Sequence, residues 1–181
     1  MMADITPTTW FPVLTLVAGY IMKAVSDRLD HSRAVQRERE NRRETHRIQL
    51  AERRAEFQRK TLLDLQEAIQ DLLRASGSII HSDTMTFRTT GEWRRQKLPE
   101  GLSQDQFVAN RKCILLIVRV RNDEIRNLAH SFRIAALDAS NSPDEKTANS
   151  KMLGAGDNSE RLHKLIGEQL RQLDDEEESM Q

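Results

Sequence analysis

A chain of 181 residues suits one modest domain with an appendage and is too short for two full domains. With 38% hydrophobic, 4% aromatic and 31% charged residues, it points to helices held by Leu, Ile and Ala rather than an aromatic-rich β core. The net charge is zero but unevenly spread: residues 1–60 carry 12 Lys or Arg against 8 acids, and residues 140–181 carry 5 against 10. Cys113 stands alone, which excludes an intrachain disulfide and a cysteine zinc site, and its apolar surroundings read as those of a small buried hydrophobe.

Residues 5–22 contain no charge, and as a helix these 18 residues would measure about 27 Å, just enough for a bilayer core of roughly 30 Å. Trp10 and Phe11 suit an interfacial anchor, with Leu14, Leu16, Val17, Tyr20 and Ile21 in the apolar body. No basic region precedes the stretch and no small-x-small site follows it, so a retained membrane anchor over residues 1–25 is expected rather than a cleaved signal. Lys23, Arg28 and Arg33 follow, positioned for lipid headgroups. Their charge predicts a single span at the cell membrane, with the N-terminus outside and the remainder cytoplasmic.

From Tyr20 to Ser76 there is neither Gly nor Pro, so one continuous helix is expected. Residues 36–47, QRERENRRETHR, hold no apolar side chain and predict a solvated spacer over 26–47, supported only weakly by pairs such as Glu38 with Arg42. Beyond it a 3-4 stripe runs through Ile48, Ala51, Ala55, Gln58, Leu62, Leu65, Ile69, Leu72, Ser76 and Ile79, and needs partner helices.

Gly77 predicts a loosening, and residues 81–104, with Gly91, Pro99 and Gly101, predict a connection. Ser103 is the expected cap of a helix through Phe107, Val108, Ile114, Leu115, Ile117 and Val118 to about Arg121. Asn122 or Asp123 caps the next, with Ile125, Leu128, Ala129, Phe132, Ala135 and Ala136 at helical spacing. Residues 141–158 read as a second loop, from which Ser159 opens a last helix striped by Leu162, Leu165, Ile166, Leu170 and Leu173, before a frayed acidic tail over 174–181. The expectation is therefore all-α: a short transmembrane helix, a long charged helix, then an antiparallel bundle of about four helices over 48–173.

The segments AERRAEFQRKTLLDLQEAIQDLLRA, FRTTGEWRRQ and VRVRNDEIRNL resemble a group of uncharacterised bacterial Arg-rich helical proteins, many with a short N-terminal membrane helix. The likeness covers about residues 10–140, and it implies the architecture and no activity.

Glu160 and His163 have a metal-binding spacing, but no second Glu-x-x-His exists to complete a di-metal bundle site. Hydrolase, nucleotide and zinc-protease signatures are missing, and no cofactor or small-molecule substrate is indicated. The basic-aromatic patch of Phe87, Arg88, Trp93, Arg94 and Arg95 has two readings: it folds back over the bundle end, or it binds a partner. The expected function is a non-enzymatic membrane-anchored interaction or scaffold module, with a protein partner or self-association through its helices. The alternative is a soluble protein binding nucleic acid through the Arg-rich helix and this loop, which the interleaved acids disfavour.

Overall fold

A computed structural model describes residues 7–94 and 97–179, with the side chains of residues 7–19, 21, 24–35 and 179 excepted. Among the described residues there are four helices and no strand: α1 (Pro7–Thr90), α2 (Leu102–Ile117), α3 (Asp123–Ser140) and α4 (Glu145–Ser179). The chain divides into two units, Met1–Ala51 and Glu52–Gln181.

In the first unit, residues 36–47 are exposed throughout, as a segment without apolar side chains requires. Arg42 donates to Glu38 at 2.5 Å one turn away. Tyr20 and Met22 are exposed as well. Among the described residues no helix is long and apolar enough to cross a membrane. The side chains of Trp10, Phe11, Leu14, Leu16, Val17 and Ile21, and those of Arg28 and Arg33, lie outside the described ones.

The second unit is a helical bundle. Leu62, Leu65, Ile69 and Leu72 of α1 meet Cys113 of α2, Ile125 and Phe132 of α3, and Leu162 and Ile166 of α4 in one buried cluster. Each large aliphatic side chain so buried contributes about 1.5–3 kcal/mol. Hydrogen bonds between the helices give their directions. The Cys113 thiol donates to Ala68 O (3.3 Å) while Gln106 donates to Ser76 Oγ (3.0 Å), so α2 runs antiparallel to α1. Gln106 also donates to Ser140 Oγ (2.7 Å) and Arg133 to Asn110 (3.2 Å), which sets α3 antiparallel to α2. Arg59 bonds Asp174 and Glu177, and Gln70 meets His163 at 2.6 Å, placing α4 antiparallel to α1.

The structure corrects the expected connections. Helix α1 does not loosen at Ser76-Gly77: Ser76 is fully buried and bonded to Gln106, and a Cβ on Gly77 would sit 3.3 Å from Met152 Cε. It stops only at Gly91, whose φ of 73° is open to glycine and whose N–H returns to Phe87 O (2.8 Å). Helix α2 begins after Gly101 (φ 93°), two residues earlier than a Ser103 cap implies, and ends at Ile117 rather than near Arg121. Asn122 does cap α3, accepting from the N–H groups of Glu124 and Ile125.

The expected loop 141–158 is mostly helix. Asp144 accepts from Thr147 N–H and starts α4 at Glu145, and Gly154 and Gly156 lie inside that helix. Ala148, Ala155 and Ser159 point into the bundle, so Ser159 is interior rather than a cap. The acidic run is no free tail, because it continues α4 to Ser179 and two of its acids hold Arg59.

Candidate docking surface

Helix α2 is apolar on two sides. Ala109, Cys113, Leu116 and Ile117 face the core and are buried. On the opposite side Phe107, Val108, Ile114, Leu115 and Val118 recur at helical spacing and are exposed by 59, 53, 43, 47 and 71%. These five span about 120° of the helix, a stripe as broad as the apolar face that ordinarily seats a helix on its neighbour. Arg111, exposed, lies within it.

The stripe widens onto neighbouring helices. Lys112 bonds Glu67 at 2.9 Å and approaches Asp71 at 3.9 Å, which puts the α1 turn holding exposed Leu63 beside it. That hydrogen bond to Glu67 is the main reason the ammonium is held above its usual pKa. Across the other edge, Arg133 bonds Asn110 and brings exposed Ile134 of α3 alongside. A two-point clamp fixes the end of α2: the Gln58 amide donates to Arg119 O and accepts from Arg121 N–H, both at 3.0 Å. The face is thus carried on bonded, packed helices rather than on a loop.

No family model, curated protein or solved structure matches the chain. The chemistry of the surface therefore rests on its own residues.

The basic-aromatic patch is no single loop, because residues 81–90, with Phe87 and Arg88, continue α1, and the rest is partly consumed by the fold. Trp93 packs against Ile80, Ala139 and Ala148, and its indole N–H donates to Ser142 O at 3.0 Å. Phe87 meets it edge to face, with ring centroids 6.1 Å apart. Arg94 donates to Asn141 O at 3.1 Å, while Arg88 is exposed and Arg95 lies outside the described residues. Of the residues placed beside the bilayer, Lys23 and Tyr20 are described, and both are exposed.

His163 faces Gln70, and burial lowers its pKa. Among the described residues no cluster of His, Cys, Asp or Glu could hold a metal. Cys113 is buried, and desolvation pushes its thiol up to about 12, so the thiolate is scarce near neutrality.

Sequence reasoning places Phe107, Val108, Ile114, Leu115 and Val118 on a helix but does not single them out as a surface. The signal is present: apolar residues fill both flanks of the run 107–118, more than a helix can bury against one neighbour.

Proposed function

We propose that the chain is a non-enzymatic interaction module, tethered to a membrane through residues 5–22, whose helical bundle docks a protein through the outward face of α2. The observation that carries the docking is the apolar stripe from Phe107 to Val118, left exposed beside a core cluster to which the other side of α2 already contributes. Contiguous exposed apolar surface of this kind marks interaction sites, because leaving it in water forfeits about 25 cal/mol for every Å². The tether rests on the uncharged stretch itself and on the arginines that follow it.

Fractionation of cells expressing the full chain and a chain lacking residues 1–25 tests the tether. The full chain should pellet with membranes, resist high salt and dissolve in detergent, and the truncated chain should be released. Salt release of the full chain would contradict the tether and favour electrostatic attachment.

A further inference from the structure

The α2 stripe carries a charge pattern that fits one partner in particular. Asp105 in the first turn and Arg119 just past the last are both exposed, and neither forms an ion pair among the described residues. Val118 keeps helical backbone angles and the Arg119 N–H returns to Leu116 O (2.9 Å), so the coil carries on through the turn. At 3.6 residues per turn, fourteen residues then come back to within about 40° of the same line, on one flank of the stripe. Their midpoint is residue 112. The stripe itself, from Phe107 to Val118, is centred between residues 112 and 113.

Two copies of such a helix packed antiparallel about that midpoint satisfy both patterns at once. Phe107 of one lies over Val118 of the other, Arg111 over Ile114, and Asp105 meets Arg119 twice. Flanking residues on the same side face each other in an antiparallel pair, whereas in a parallel pair each flank faces the partner's opposite flank, so Asp105 and Arg119 would not meet. Lys112, at the centre of that flank, is already neutralised by Glu67 and Asp71. Arg111 can lay its methylene stem along the partner and keep its guanidinium at the rim.

We infer that the α2 face is a two-fold, antiparallel self-association surface in which the Asp105–Arg119 pair sets direction and register. This rests on the docking reading above and names the second copy as the occupant.

Register can be read by cross-linking in membranes of cells that co-express two differently tagged full-length chains. In the antiparallel pair, position 107 lies opposite 118 but about 16 Å along the axis from its own counterpart. A short bismaleimide should therefore join Phe107→Cys on one tag to Val118→Cys on the other. It should not join either variant to itself, and native Cys113 stays silent because it is buried. Asp105→Arg or Arg119→Asp alone should lower the adduct about fivefold, and the double reversal on every chain should restore it, with unchanged helical circular dichroism as the folding control. Same-position adducts would overturn the antiparallel register. No adduct in any combination would overturn self-association, while protection of Val118 from labelling would still leave the face covered by another protein. Failure to rescue by the double reversal would overturn the charge pairing.

Discussion

A Cβ added to Gly154 meets nothing within 4 Å, although the residue lies inside α4. Gly154→Ala should therefore raise stability by about 0.5–1 kcal/mol through the unfolded chain's lost freedom, measurable as a higher Tm. A lower Tm would mean that the helix bends there. Ile69 is fully buried in the main cluster, and Ile69→Ala should cost about 2–5 kcal/mol in denaturant unfolding. Asp83 is 5% exposed, and burial pushes its carboxyl up while Arg94 pulls it down by less. A folded-state pKa above the unfolded one means that ionised Asp83 opposes folding. Its cost is absent below the ordinary value of 3.8 and appears as pH rises through the folded value. Asp83→Asn should then stabilise the protein at neutral pH and lose that advantage in acid. Destabilisation at neutral pH by the same substitution would show that the Arg94 attraction prevails.

At the scale of the element, α4 starts where Asp144 accepts from the Thr147 N–H and hydroxyl, both at 2.8 Å. Those bonds, the backbone one foremost, hold the carboxyl below its usual range. The stability they confer is present above the unfolded value and fades as pH falls through the folded one. Asp144→Ala should lower Tm by a few degrees at neutral pH, with Asn restoring most of it as a neutral cap. This helix was hidden in the sequence because Pro143, Gly154 and Gly156 mimic a loop. Packing overrides that weak local preference: Ala148, Ala155 and Ser159 seat α4 on the bundle, and their small side chains give little hydropathy signal. The Ser76-Gly77 step misleads for the same reason. Periodicity locates α2 but not its buried side, since residues 109, 113, 116 and 117 and residues 107, 108, 114, 115 and 118 satisfy helical spacing equally.

For the whole molecule, the all-helical class and the bundle were legible because Leu62, Leu65, Ile69 and Leu72, and later Leu162 and Ile166, repeat at intervals that only a helix brings to one side. The polar stretch 36–47 was legible too, through the absence of anything to bury. Which side of α2 faces outward emerged only from tertiary structure, because exposure is a property of neighbours. It makes the account testable in the cell. Val118 on the stripe and Leu153 on α4 are 71% and 72% exposed in the isolated chain. Full-length Val118→Cys and Leu153→Cys variants labelled in intact cells with a membrane-permeant maleimide should diverge, position 118 protected and position 153 reactive. Equal, rapid labelling of both would show that the face stays bare and would contradict a docking role for α2.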